Sequence, residues 1–470
     1  MIDLVKGKEV LVVGMARSGL AAVELLNKTG ASNITITDSK NSSELQKEID
    51  TLKRYKNVKC ITGSNPPELV TESLSMIVKS PGVPPTLEIF KKAEELSIPV
   101  VSEIELAYAF IKTPMIGVTG TNGKTTTTAL ITAMLKEARI EPVVSAGNIG
   151  NPLADLFGKI TPQGFIVAEL SSFQLENIIK FRPAIAVFLN FAEDHLDYHG
   201  SIEKYFKAKA RIIENQVEGD YAVLNAGDYA VSALGENCRS RVIWFDRSPV
   251  RLGAGLDQEW VAIFNPGCEA VRICPASEIA LPGKHNLENA LAATAAAWAA
   301  GADPVSIGKV LRSFKAIEHR LEHVAVIDGV EYINDSKGTN PGATIKALLS
   351  FPGKNKILIA GGKEKASNFN DLASVIRREV KALVLIGETA DRIEEAVSDA
   401  GFDNYSKYNS LEEAVFAASR MAEPDDLVLL SPACASWDMF SDFEQRGSAF
   451  KRLVSSLKNK NEVEGGTVNG

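Results

Sequence analysis

The run Gly120-Thr121-Asn122-Gly123-Lys124-Thr125, set between the apolar stretch MIGVT and a helical pattern, has the composition of a phosphate cradle. Two glycines let successive backbone N–H groups turn toward phosphate oxygens. Lys124 brings a mobile positive charge to β/γ-phosphates, and the Thr125 hydroxyl suits a magnesium shell. A standard loop has glycine five residues before the second glycine; Val118 stands there, so this is a shorter variant. Glu169 ends the run FIVAE, and a carboxylate at the carboxyl edge of a neighbouring strand is where such sheets anchor magnesium. In NFAEDHLDYHG, the residues Asp194, His195, Asp197 and His199 crowd the end of a further strand. One histidine there would read as packing, whereas four ligand-type side chains together point to function. The following KYFKAKARIIEN carries Lys204, Lys207, Lys209 and Arg211, which composition alone leaves as a solvated helix face. Near the N-terminus, VLVVGMARSGLAA has the form of a nucleotide-binding glycine turn, with Asp38 closing the next strand. Ala16 replaces the glycine that would let backbone approach a pyrophosphate, which argues against NAD while leaving a nucleotide diphosphate in play.

Stepping outward, these residues need parallel sheets to hold them. Strand-like apolar runs alternate with helical patterns in three blocks, and 470 residues exceed what one core supports. The first block runs from EVLVVG through ITITD, MIVKSPG and IPVVSE to a helical pattern from Ser102 to Ile111, and the Lys112-Thr113-Pro114 that follows reads as a linker. The second opens with MIGVTG, passes through short strands and loops around 235–280, and closes with LPGKHNLENALAATAAAWAA, a turn into a buried helix. The third begins near Glu318-His319-Arg320 and contributes KILIAGG, ALVLIG and DLVLLSP. The polar, Gly-rich end is expected to be a disordered tail.

Bulk properties exclude other classes. A net charge of -8 argues against a general nucleic-acid binder. Five cysteines (60, 238, 268, 274, 434) form no metal-type spacing and fit a reducing compartment. The charged N-terminus does not read as a signal peptide, and Ala290–Ala302 is far too short to span a bilayer. A soluble, cytoplasmic monomer with no membrane partner is expected.

Taken in order, GTNGKTTT, AELSSFQLE, NFAEDHLDYHGS, KHNLENALAA, HRLE and NDSKGTNP resemble the Mur ligase family over about 440 residues. The resemblance implies an α/β chain of three domains: an N-terminal Rossmann-like nucleotide-binding domain (1–104), a central P-loop ATPase-like domain (105–316) and a C-terminal Rossmann-like domain (317–457), with a tail at 458–470. Gly120, Thr121, Asn122, Gly123, Lys124, Thr125 and Thr126 would hold ATP, joined by Asn289. From the third domain Arg320, Asp335 and Lys337 would close over it. Thr125, Glu169, His195 and a carbamylated Lys209 would bind two magnesium ions, and Lys124, Lys209, His195 and Asn148 would be catalytic. Asn148 and Asn286 would also contact reacting groups. Ser18, Asp38, Ser39 and Gly82 would seat a uridine-linked precursor, with the diphosphate contacts of the first turn open because of Ala16 and Arg17. The segment LSPACASWDMFSDFEQRG is most like the branch that joins D-glutamate to UDP-N-acetylmuramoyl-L-alanine, and no D-N-P-R of the diamino-acid-adding branch is present. In that branch Thr339, Lys365, Ser436 and Phe443 would hold D-glutamate. The chemistry implied is an ATP-driven amide ligation through an acyl phosphate, with the third domain swinging shut to exclude water. Another Mur-type or folylpolyglutamate-type ligase, and a non-catalytic nucleotide-binding protein, are the alternatives.

Overall fold

The structure is a computed structural model that describes residues 2–148, 151–281, 283–314, 318–363 and 367–465. The described residues build three sheets flanked by helices. The first contains β1 (Glu9–Val13), β2 (Asn33–Asp38), β3 (Val58–Thr62), β4 (Leu74–Lys79) and β5 (Val100–Ser102), all parallel, in the order β3-β2-β1-β4-β5. Strands such as EVLVV are apolar on both faces because helices cover both sides of a parallel sheet. Chain order reverses between β1 and β4, which opens a crevice beyond their carboxyl ends. The Gly14 turn and the segment following Lys79 lie there.

The central sheet contains β6 (Met115–Thr119), β7 (Val143–Gly147), β8 (Phe165–Glu169), β9 (Ile185–Phe188), β10 (Tyr221–Asn225), β11 (Arg241–Phe245), β12 (Gly253–Asp257), β13 (Trp260–Phe264) and β14 (Val271–Pro275). Its order is β14-β13-β12-β11-β10-β9-β6-β8-β7, parallel up to β12 and antiparallel at the β12-β13-β14 edge. The register pairs Val118 and Gly147 with Glu169 on either side, so the carboxyl ends of β6, β7 and β8 finish level.

The third sheet contains β15 (Glu322–Ile327), β16 (Val330–Asn334), β17 (Lys356–Gly361), β18 (Val380–Ile386), β19 (Tyr405–Tyr408) and β20 (Leu427–Leu430), ordered β15-β16-β20-β17-β18-β19. Only β15 is antiparallel to its neighbour among these pairings. By contacts the chain divides into two compact units, Met1–Ile279 with Glu288–Ser313, and Ala280–Leu287 with Phe314–Gly470. The first two sheets fall in the first unit and the third sheet in the second. The last helix, Phe443–Gly465, carries helical backbone through residues 458–465, which composition alone assigned to an irregular tail.

Within the first unit the helix Glu103–Phe110 joins the two sheets through buried acids. The Glu105 carboxylate accepts the backbone N–H groups of Ile179, Lys180 and Phe181 at 2.8–3.0 Å. Glu103 accepts from Ala154 N at 2.6 Å, just past the loop that carries Asn148. Its second oxygen has no partner, and burial pushes its pKa up to about 7.

Candidate active site

The phosphate loop follows β6 and opens the helix Lys124–Glu137. Gly123 caps that helix in a left-handed conformation (φ 86°), and a Cβ there would stand 2.1 Å from Asn289 Oδ1. Glycine is therefore required twice over, by backbone and by space. The loop is braced from β9: Asn190 Oδ1 accepts from Asn122 N at 2.9 Å, and its Nδ2 donates to Asn122 O at 3.1 Å. Thr121 Oγ1 donates to Ala192 O and accepts from Ala192 N. Sequence alone did not single out Asn190, because a bracing asparagine has no spacing signal.

Lys124 Nζ donates to the carbonyls of Gly120 and Thr121, both at 2.9 Å. Lys209, on the helix Ile202–Ala210, is 2% exposed and donates to the same Gly120 carbonyl at 2.9 Å. Its Nζ lies 4.6 Å from the centroid of the Tyr205 ring. Burial, reinforced by Lys124, drives its pKa well below the ordinary lysine range, against the pull of Asp194 and Glu169. The charged face expected on this helix is thus divided. Lys204 and Lys207 are exposed, Lys209 is inside, and Arg211 is tied to the carbonyls of Glu176 and Ile178 and to Glu214.

Glu169 is buried at the end of β8. Its Oε1 accepts from Asn148 Nδ2 at 2.9 Å, while Oε2 has no partner. A carboxylate oxygen buried without a donor is costly unless a cation joins it. His195 begins the short helix Leu196–His199 at φ 52° and lies 3.6 Å from Asp194 Oδ2. Of the four ligand-type residues expected here, the Asp197 side chain lies outside those the structure describes. His199 is buried, hydrogen-bonds Ser172 Oγ at 2.9 Å and stacks on Phe173, so it packs rather than faces the loop. Among the described residues no cluster of three His, Cys, Asp or Glu side chains could hold a metal. A cation at Glu169 Oε2 would therefore need further donors besides such a cluster.

In the first sheet, Asp38 Oδ2 accepts from Met15 N at 2.8 Å and Oδ1 from Lys40 N, which ties β2 to the glycine turn. A Cβ on Gly19 would meet Gly14 O at 1.9 Å, so the tight turn into the helix Arg17–Lys28 needs that glycine. Ser18 is half-buried, and Ser39 and Gly82 are exposed.

In the second unit the predicted residues gather at the carboxyl ends of β16 and β20. Asp335 is buried, accepts from Ser431 Oγ at 2.8 Å and Leu321 N at 3.2 Å, and burial pushes its pKa up to about 6 against the Arg320 charge. Lys337 Nζ sits 5.0 Å from the Phe443 ring centroid; Ser436 is buried and Thr339 half-buried. Asn286, on the segment Ala280–Leu287, is buried. Lys365 lies outside the described residues.

Sequence relationships give the class, an ATP-dependent amide ligase of the Mur type. Sequence models describe residues 8–102 as a Mur ligase MurD-like N-terminal domain, 118–297 as a Mur ligase middle domain and 319–434 as a Mur ligase, glutamate ligase domain. The chain is 47% identical over 452 residues to the UDP-N-acetylmuramoylalanine–D-glutamate ligase of Pelotomaculum thermopropionicum, covering 96% of this chain and 98% of that one. It is 43% identical to the same-named protein of Clostridioides difficile, covering 96% and 99%. Among solved structures it resembles the UDP-N-acetylmuramate–alanine ligase of Thermotoga maritima (TM-score 0.59, 19% identity, 96% and 100% covered). It also resembles the MurF ligase of that organism in complex with ADP (TM-score 0.58, 16% identity, 97% of each chain). The chain belongs to the Mur ligase family, in the group formed by the UDP-N-acetylmuramoylalanine–D-glutamate ligases.

Proposed function

We propose that the chain uses ATP to join D-glutamate to UDP-N-acetylmuramoyl-L-alanine, in peptidoglycan precursor synthesis, with residues 1–104, 105–316 and 317–457 serving precursor, ATP and amino acid respectively. The observation that carries this reading is that Lys124 and Lys209 share the Gly120 carbonyl, just past the strand that pairs with the one Glu169 ends, in a chain nearly half identical to ligases of that name. A carboxylate is a poor electrophile, so amide formation begins with phosphorylation of the precursor's terminal carboxylate by ATP. The loop N–H groups and Lys124 hold the phosphates, and Lys124 exchanges its bonds to Gly120 and Thr121 for the γ-phosphate as negative charge spreads over the transferring group. Two magnesium ions, when bound, would neutralise phosphate charge; Glu169 Oε2, Thr125 and His195 are the groups of this chain that would hold them. Lys209, a buried amine of depressed basicity, attacks carbon dioxide: its nitrogen forms a bond to carbon, a C=O electron pair moves onto oxygen and a proton leaves to solvent. The product is a carbamate, an oxygen anion that suits a hard cation where an ammonium would be repelled. Asn148 orients the Glu169 carboxylate. Asn289 packs on Gly123 in the loop, and Arg320, Asp335 and Lys337 are the residues of the other unit that would bind ATP. Thr339, Lys365, Ser436 and Phe443 seat D-glutamate so that its amine attacks the acyl phosphate. Ser18, Asp38, Ser39 and Gly82 seat the uridine end.

The test is phosphate release with UDP-N-acetylmuramoyl-L-alanine, ATP and magnesium against D-glutamate, L-glutamate, L-alanine, L-lysine and diaminopimelate. D-glutamate alone should drive turnover. Equal or faster release with any other member of the panel overturns the assignment.

A further inference from the structure

Lys79 ends β4 and is 3% exposed, yet no step above uses it. Its ammonium donates to Glu176 Oε2 at 3.2 Å and to the Tyr198 hydroxyl, and it lies over the Phe90 and Tyr198 rings at 5.7 and 5.1 Å. Burial lowers its pKa while Glu176 opposes the shift. Tyr198 in turn donates to Glu176 Oε2 at 3.0 Å and approaches Val83 O at 3.4 Å.

These three residues join two places the chemistry must relate. On one side, Ser80 donates its hydroxyl to Gly14 O at 3.1 Å and its backbone N–H to Val13 O, so the segment after Lys79 is fixed to the first glycine turn. On the other, the Tyr198 ring meets Phe173 edge-on at 4.5 Å, and Phe173 meets His195 edge-on at 4.9 Å. The contacts therefore run without a break from Gly14 through Ser80, Lys79, Tyr198 and Phe173 to His195. A solvated surface tether would not need a buried ammonium; losing one partner of a buried charged pair leaves the other unmatched. Nor does packing alone account for a lysine here, since an apolar side chain of like volume would fill the same space without desolvating a charge.

We propose that Lys79, Glu176 and Tyr198 form a positioning unit that sets the His195 loop relative to the first glycine turn, so that a nucleoside diphosphate at that turn is felt at the catalytic loop. The inference rests on the reading of that turn as the precursor's seat. None of the three touches reacting atoms; they act through His195 and Ser80.

Tyr198→Phe keeps the ring and removes only the hydroxyl, and Lys79→Met keeps the volume and removes the charge. Each should raise KM for the UDP-linked precursor by about tenfold or more, the scale of a buried charge-assisted hydrogen bond, with KM for ATP within about twofold. The double variant should be no worse than the poorer single one, because the residues act as a unit. Hydrogen exchange with UDP as the only added ligand gives the independent readout: backbone amides of residues 194–200 should gain protection in the parent and lose that gain in both variants. Additive kinetic effects, equal rises in both KM values, or variants that keep the UDP-induced protection would each overturn the coupling. A parent that shows the protection but does not turn over the precursor with D-glutamate would refute the ligase assignment and leave the coupling standing.

Discussion

Lys124 and Lys209 donate to one carbonyl, that of Gly120, although a lysine in a phosphate loop has a better acceptor in a phosphate oxygen. Lys124→Ala leaves the backbone cradle in place and removes that charge. Turnover should fall by roughly 10²–10³-fold or more, near ~3 kcal/mol at the transition state, with the circular-dichroism spectrum unchanged. Near-parent kcat in this variant would remove the phosphate-loop reading. For Lys209 the contrast is internal. Lys209→Ala should be nearly inactive and partly restored by added acetate, which can place a carboxylate in the vacated space; Lys207→Ala, whose side chain is exposed, should stay within about twofold of the parent. Full activity of the Lys209 variant, or greater sensitivity at Lys207, would contradict the carbamate role. These residues differ in how far the sequence revealed them. The phosphate loop is local, so its glycines, lysine and threonines were legible as a string. Lys209 stood out from Lys204 and Lys207 only through family resemblance, because a charged helix does not announce which side chain turns inward. Lys79 was illegible: its partners are 97 and 119 residues away, and no spacing rule reaches that far.

At the scale of elements, the apolar runs legible in the sequence became β1, β2, β6, β8 and β9, and the helix read between Ser102 and Ile111 is Glu103–Phe110. The stretch around 235–280 was legible only as short strands; its antiparallel edge depends on pairing, which periodicity does not encode. Both acids in the first turn of Glu103–Phe110 are buried, a placement that no sequence signal marks. Glu103 tests that burial. Its folded-state pKa is raised to about 7 from the ordinary 4.5 by desolvation, so the fold favours its protonated form. The associated stability is full below pH ~4.5 and is lost as pH rises through ~7, at most about 3 kcal/mol. Glu103→Gln cannot ionise and keeps an acceptor for Ala154 N. Between pH 5 and 8 its Tm should fall less than the parent's, by about 5 °C. Parallel Tm curves for parent and variant would mean that Glu103 titrates normally.

For the whole molecule, the contact pattern sets how the chain should melt. The first two sheets share buried acids and the Lys79 cluster, which makes them one cooperative body, whereas the third sheet belongs to a separate compact unit. Two-state unfolding is not expected of such a chain. Calorimetry should resolve two transitions, and ligands should sort between them. UDP, on its proposed seat at the turn between β1 and β4, should stabilise only the unit that contains those strands. At a hundred times its Kd the gain is about 2.7 kcal/mol, enough to move that transition by several degrees while the other stays within about one degree. ADP with magnesium tests the phosphate loop in the same way, because Gly120, Lys124 and Glu169 all lie in the first unit. It should shift the same transition as UDP, and Lys124→Ala should abolish the ADP shift while sparing the UDP shift. If UDP and ADP moved different transitions, the first two sheets would be separate folding bodies, and the contact path from Gly14 to His195 would have no rigid frame to act through.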